Sequence, residues 1–304
     1  MAQEDYLVRT MAADGQIRAF CCRTTNLSEE AHLRHGTLPT ATAALGRVLT
    51  GAAMLGALLK REERVTLQLI GDGPLGSLVG EADAHGHVRG YVQNPEVHLP
   101  STPAGKLDVA GAVGHNGNLY VLRDLGLKEP YRGSVSLVSG EIAEDLTYYF
   151  VRSEQTPSAV ALGVLVETTN SVRAAGGYLL QLMPGADPHL GRELEEIVRR
   201  TAPASTLIDQ GQTPEAILSD LLGSLGVGEM THQPLVYQCR CSRERLSRAL
   251  VTLGPTELSE LAGEPAGAEL ICRFCGAKYQ FSPDDLRALA EATAQESGTE
   301  LGTH

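Results

Sequence analysis

At 304 residues, 42% apolar and 20% charged, the chain has the composition of a globular protein of about two domains, too long for one small core. Its formal net charge of -12 excludes a protein that holds nucleic acid through its overall field, because counterion release needs a surplus of Lys and Arg. Aromatic residues make up only 4%, with no Trp, so Leu, Val, Ile and Ala must build the cores.

The N-terminus, Met1-Ala2-Gln3-Glu4-Asp5, is acidic and carries no basic flank followed by an apolar stretch. The most apolar run, between Arg47 and Lys60, has 12 uncharged residues, too few to span a bilayer. These features predict a cytoplasmic protein that does not engage the membrane. In that compartment disulfides are not the resting state, so six cysteines point to metal or redox chemistry rather than to a disulfide framework.

In chain order, Tyr6–Arg9 and Gln16–Phe20 read as a hairpin around Asp14-Gly15. A helix is expected near Ser28-Glu29-Glu30, and a longer, Ala- and Leu-rich one from about Pro39 to Arg61. Short β runs separated by glycine turns follow at Val65–Ile70, Leu78–Glu81, Val88–Val92, Leu119–Leu122 and Val135–Val138. A helix at Glu141–Arg152 and strands at Ala159–Glu167 and Tyr178–Met183 complete an α+β core domain, residues 1–184, with a mixed sheet arrangement.

The texture changes at Pro184-Gly185. Residues 185–232 hold eight acidic and three basic side chains, and their signals are helical, interrupted by Gly and Pro. Leu190, Leu194, Ile197 and Val198 form one apolar stripe, and Ile217, Leu218, Leu221 and Leu222 another behind Thr213-Pro214-Glu215, an N-cap followed by Pro at the first helical position. Helices this short are unstable alone and must dock, which predicts a metastable helical linker. Residues 233–304 form a small C-terminal unit with a tail, and Ser282-Pro283-Asp284-Asp285 starts its last helix as a capping box.

Within that unit, Cys239-Arg240-Cys241 and Cys272-Arg273-Phe274-Cys275 are separated by 30 residues, a pattern that supplies four thiolates to one tetrahedral ion. Gly276 fits the tight turn of a zinc knuckle. Zinc suits four soft ligands, with an iron–sulfur cluster the rival. Four thiolates leave no open coordination position, so a hydrolytic zinc enzyme is not expected. A structural zinc and a redox-responsive zinc both remain open on spacing alone. Metal keeps each sulfur as a thiolate, the form that oxidants attack, and loss of the metal would remove folding free energy on the order of 10–16 kcal/mol.

The sequence Gln238-Cys239-Arg240-Cys241-Ser242-Arg243-Glu244-Arg245 resembles the heat-shock protein 33 family of bacterial chaperones, and the cysteine spacing is the specific part of the likeness. Gly71-Asp72-Gly73-Pro74-Leu75-Gly76, Tyr131-Arg132-Gly133 and Tyr149-Phe150-Val151-Arg152-Ser153-Glu154-Gln155 extend it over nearly the whole chain. The resemblance implies an ATP-independent holdase, not an enzyme, inactive when reduced and holding one zinc per chain on Cys239, Cys241, Cys272 and Cys275. It implies that oxidation pairs Cys239 with Cys241 and Cys272 with Cys275, releases zinc, loosens the linker and exposes apolar surface to unfolding client proteins. It also implies a homodimer, and leaves the client-binding residues unassigned. Cys21-Cys22 lies outside the family pattern; one of the two is expected to be buried and neither is given a redox role.

Other features have plainer readings. The glycine motif at 71–76 lacks a Lys-Ser/Thr pair, so it is a turn and not a phosphate loop. His85 and His87 flank a turn glycine and are expected to be solvated, as is the carboxylate pair Glu195-Glu196. A zinc ribbon that binds nucleic acid is disfavoured, since residues 233–285 carry six basic against seven acidic side chains and a four-thiolate centre adds negative charge. A thiol–disulfide oxidoreductase would present its Cys-X-X-Cys at a helix start in a βαβ setting, not beside a second pair.

Overall fold

The computed structural model describes residues 4–127 and 129–300, with side chains to residue 294. Residues 1–3 and the end of the C-terminal tail, 301–304, lie outside the described residues. The chain divides into two compact units, Met1–Gln238 and Cys239–His304.

In the first unit β1 (Tyr6–Ala12) and β2 (Ile17–Arg23) form the opening hairpin, followed by α1 (Thr25–His35) and α2 (Pro39–Gly56). Next come β3 (Arg64–Gly71), β4 (Ser77–Asp83), β5 (His87–Val92), a short α3 (Val109–Val113), β6 (Gly117–Asp124) and β7 (Tyr131–Ser136). α4 (Ile142–Arg152), β8 (Ser158–Val166) and β9 (Val172–Leu182) follow. The linker segment supplies α5 (Pro188–Arg200), α6 (Ala204–Asp209) and α7 (Pro214–Leu222), and then β10 (Thr231–Pro234) and β11 (Val236–Tyr237).

The strands make two sheets, ordered β10-β1-β2-β9-β8 and β11-β5-β4-β3-β6-β7. Helix α2 packs on both, touching β3, β4 and β5 of one and β2, β8 and β9 of the other. This explains its lack of a polar face: 16 of its 18 residues are buried, as a helix covered all round requires. Close approach is bought by small residues. A Cβ on Gly80 of β4 would sit 2.9 Å from Val48 of α2. The helix's buried Thr50 hydroxyl is satisfied on both sides, donating to the Gly46 carbonyl within the helix and sharing a 2.7 Å hydrogen bond with Thr24 outside it.

A second core lies on the other face of the first sheet. Val8, Ile17, Ala19, Cys21, Tyr178 and Leu180 meet Leu194, Ile197, Ile208, Ile217, Leu218 and Leu221 of α5, α6 and α7. The expected apolar stripes are therefore the docked faces. Thr213 caps α7, accepting from the Ala216 N–H at 3.3 Å. Both Cys21 and Cys22 are fully buried, where burial of only one was expected. Strand β2 is covered on both sides: Cys22 enters the core around α2 and Cys21 the core beneath the linker helices.

Several boundaries differ from the sequence reading: β9 begins at Val172 rather than Tyr178, and β2 runs on to Arg23. Helix α2 stops at Gly56 because the chain tightens there, Leu58 and Leu59 donating to the Leu55 and Gly56 carbonyls, and Arg61 then adopts φ +54. Strand β7 begins at Tyr131 and ends at Ser136, since Asp145 of α4 takes the Val138 and Ser139 N–H groups at 2.7 and 3.2 Å. Residues 231–237, assigned above in part to the C-terminal unit, form a strap on the first: β10 pairs with β1 of one sheet and β11 with β5 of the other. The strap also reaches the linker, for His232 Nε2 lies 2.7 Å from one Glu215 carboxylate oxygen, and the Tyr6 hydroxyl donates to the other at 2.9 Å.

The second unit contains α8 (Arg243–Val251), α9 (Pro255–Leu261), the hairpin β12 (Ala268–Ile271) and β13 (Lys278–Phe281), and α10 (Pro283–Glu300). The capping box is formed: Ser282 Oγ accepts from the Asp285 N–H at 3.2 Å and Asp285 Oδ2 accepts from the Ser282 N–H at 2.8 Å. The core is small, with Leu250, Leu258, Ala262, Phe281, Leu286 and Ala290 as its buried members.

Candidate metal centre

The first cysteine pair sits at the mouth of α8. Ser242 caps that helix, accepting from the Arg245 N–H at 3.3 Å, and the Arg245 guanidinium donates to the Arg240 carbonyl at 3.0 Å, which fixes the Cys-Arg-Cys segment. The second pair occupies the turn between β12 and β13. The Gly276 and Cys275 N–H groups both donate to the Cys272 carbonyl, at 2.8 and 3.3 Å, and Cys272 donates to the Ala277 carbonyl at 2.9 Å. Gly276 has φ +70, a backbone state that glycine takes without strain.

These two turns bring the four sulfurs of Cys239, Cys241, Cys272 and Cys275 within 4.8 Å of one another, a group that could hold a metal ion. Two close approaches run between the pairs, Cys239 to Cys272 at 3.6 Å and Cys241 to Cys275 at 3.3 Å. Cys272 is buried and the other three are half-buried. Burial raises the Cys239 thiol, but hydrogen bonds from the Cys241 backbone and the neighbouring sulfurs outweigh it and bring the thiol to about 7. Burial pushes Cys272 and Cys275 up; the Cys239 sulfur adds to the rise at Cys272, and all three neighbouring sulfurs add to it at Cys275. Four thiolates in so small a volume repel one another, and a cation held among them relieves that repulsion.

Tyr279 was not singled out in the sequence. Its hydroxyl donates to Cys241 Sγ at 3.1 Å, and that bond pushes the phenol up to about 12. The available signal was strand alternation: Tyr279 shares a face of β13 with the buried Phe281 and so points inward. Arg243 is a second addition. Its guanidinium donates to the Gln280 carbonyl, pairs with Asp285 at 2.9 Å and lies over the Phe281 ring at 4.3 Å, tying the start of α8 to β13 and to the cap of α10. Cys21 and Cys22 are not among the clustered cysteines; both are free thiols whose burial pushes them up, Cys22 to about 12.

Of the remaining candidates, His87 departs from expectation in being bonded rather than solvated. Asp72 of the 71–76 turn accepts from the Asn116 side chain at 2.7 Å and from its backbone N–H at 3.1 Å, a loop-to-loop tie rather than a phosphate cradle. His85 is exposed, whereas His87 is a third exposed and bonds Asp83 at 3.0 Å. Among the described residues no helix is long and apolar enough to cross a membrane.

An α+β unit joined to a small unit carrying four converging thiols defines the class: a two-unit protein with a cysteine-ligated metal-type centre. The family model described as "Hsp33 protein" matches residues 5–282, and the chain belongs to that family. A 33 kDa chaperonin of Desulforamulus reducens is 50% identical over 286 residues, 94% of this chain and 97% of the relative. A 33 kDa chaperonin of Bacillus cytotoxicus is 48% identical over 288 residues, 95% of this chain and 99% of the relative. The crystal structure of a 33 kDa chaperonin from Thermotoga maritima matches with a TM-score of 0.89 at 38% identity, covering 96% of this chain and all of that one.

Proposed function

We propose that this protein is an ATP-independent chaperone, a holdase, whose grip on unfolding client proteins is switched on by oxidation of Cys239, Cys241, Cys272 and Cys275. Family membership and relatives named chaperonins support the chaperone part. The observation that carries the switch is the convergence of four sulfurs within 4.8 Å in a unit with so small a core.

The donor set fits zinc: four thiols and no carboxylate or imidazole among them, in a closed arrangement. Zinc bound there supplies a cross-link between the two turns, worth on the order of 10–16 kcal/mol to units of this kind. The rest of the mechanism belongs to the chain. One hydrogen peroxide per pair takes two electrons and, with two protons, leaves as two waters, so that two peroxides form the Cys239–Cys241 and Cys272–Cys275 disulfides. Disulfide sulfurs no longer offer thiolate donors, and six buried side chains are a small core for the unit to keep its fold on. Cys239 directly follows Gln238, whose N–H donates to the Val88 carbonyl at the end of the strap. Loosening at Cys239 is thereby passed to residues 231–237 and on to α7 through His232 and Glu215. When α5, α6 and α7 lift, the outer face of the first sheet offers Val8, Ile17, Tyr178 and Leu180 to apolar segments of a client. The reading includes a cytoplasmic setting, a homodimeric active form, no nucleic acid or membrane partner, and no catalytic group.

The test measures zinc content and suppression of aggregation of a chemically unfolded client, without nucleotide, on reduced and peroxide-treated protein. Reduced protein should hold about one zinc per chain and suppress weakly; oxidised protein should have lost the zinc and suppress strongly. Equal suppression in both states would mean a structural metal site and no switch.

A further inference from the structure

We propose that Tyr279 is a positioning residue for the redox chemistry of this site: its hydroxyl occupies a lone pair of the Cys241 sulfur and slows that sulfur's attack on a hydroperoxide. The inference rests on the reading of the four cysteines as an oxidant-sensitive centre and names the group that sets its threshold. The bond is direct, 3.1 Å from Tyr279 Oη to Cys241 Sγ, between residues 38 apart in sequence. It is also held in place from both sides. Tyr279 stands opposite Leu270 in the β12–β13 hairpin, and Arg243, two residues beyond Cys241, grips the Gln280 carbonyl next to Tyr279 as well as Asp285 and the face of Phe281. The guanidinium's planar fork makes that grip directional, which a lysine would not reproduce.

In the oxidation step the Cys241 sulfur gives an electron pair to one peroxide oxygen. The O–O bond breaks, the departing oxygen leaves with a proton as water, and a sulfenic acid remains. A second thiolate then attacks that sulfur, forming the disulfide and releasing a second water. A hydrogen bond donated to the sulfur withdraws the electron density this attack needs, and the hydroxyl must be shed or bent away before the peroxide can approach in line. The effect falls on one sulfur. Tyr279 donates to Cys241, so Cys272 serves as an internal reference in the same molecule. A hydroxyl that merely fills the hairpin would behave differently, since its loss would loosen all four cysteines together.

The experiment compares wild type with Tyr279→Phe as full-length reduced protein. Short pulses of hydrogen peroxide are followed by alkylation and site-by-site mass spectrometry; cleavage after Arg240 and Arg273 puts each cysteine on its own peptide. The initial oxidation rate of Cys241 relative to Cys272 should rise about threefold to tenfold in Tyr279→Phe, the range for loss of one ordinary hydrogen bond. Zinc content before the pulse should be unchanged. Arg243→Lys, which keeps the hydroxyl but frees its strand, should move the same ratio in the same direction by less. An unchanged ratio in Tyr279→Phe, or a parallel rise at all four cysteines with loss of zinc, would overturn the assignment. Absence of zinc from the wild type would instead overturn the metal reading, while the ratio of Cys241 to Cys272 would still decide the role of Tyr279.

Discussion

Cysteine appears in two chemical settings in this chain. The clustered four lie at turns with their sulfurs close together, Cys272 buried and the other three half-buried, whereas Cys21 and Cys22 are enclosed by apolar side chains and lifted by burial far from thiolate character. Changing both to Ser should leave the redox response of zinc release intact, read by a chromogenic chelator, while lowering the melting temperature, because two hydroxyls replace thiols in closed cores. Their double burial was not legible from sequence: alternation along β2 presumes one solvent face, and only the tertiary arrangement shows both faces covered. The four-cysteine cluster was legible because its spacing alone dictates convergence. Alternation along β13 marks Tyr279 as inward-facing, but its bond to Cys241 and the grip of Arg243 span a hairpin and a helix cap, and their partners are not encoded locally. A different residue governs acid response. Burial raises Asp5 from 3.8 to about 6 even though the Leu27 N–H and Arg23 oppose the rise. A carboxyl raised in the folded state favours folding below its unfolded value and loses that contribution as pH rises through about 6. Between pH 4 and pH 6, urea titrations should therefore show wild-type stability falling relative to Asp5→Asn. A difference that is flat across that window would contradict it.

Elements with their own periodicity were readable, and those made by partners were not. The hairpin of β1 and β2, the all-apolar α2 and the capped α7 each carry their signal in a few neighbouring residues. Strands β10 and β11 do not: Thr231-His232-Gln233-Pro234 is polar and ends in Pro, and it becomes a strand because β1, more than 200 residues earlier, offers an edge. The linker helices fall between these cases, with legible stripes but a stability that depends on docking. Leu218 and Leu221 are both buried, at 0% and 3% exposure, against the first sheet. Removing a buried leucine side chain costs about 2–5 kcal/mol, and a serine hydroxyl left in that core adds to it. A helix of nine residues has little else to hold it. Leu218→Ser with Leu221→Ser should make the reduced, zinc-loaded protein suppress client aggregation well above the reduced wild type, with no cysteine touched. A reduced double variant with zinc bound and no gain in client binding would remove the linker from the mechanism.

At the scale of the whole molecule, the question is whether the four-cysteine unit and the linker helices form one cooperative system although 16 residues lie between Leu222 and Cys239. The strap supplies the continuity. Its two short strands stitch both sheets together, Leu235 is buried in the core around α2, and the Leu235 N–H donates to the Asp5 carbonyl at 3.0 Å. Short paired segments of this kind release together once their end is freed, because each hydrogen bond holds the next in register. Oxidation should thus expose the amides from Leu190 to Leu222 to hydrogen exchange along with those of residues 231–237, while the strands around α2 keep their protection. Cys21 gives an independent readout of the same event. It lies beneath α7 with no exposed surface in the closed form. A thiol reagent should therefore label it in oxidised protein and not in reduced protein, whereas Cys22, on the α2 side of the same strand, should stay unlabelled in both. The two neighbours thereby separate opening of the linker from general unfolding. Labelling of both would mean that oxidation melts the whole first unit, and labelling of neither, with exchange at Leu190–Leu222 unchanged, would mean that the metal site and the linker are not coupled at all.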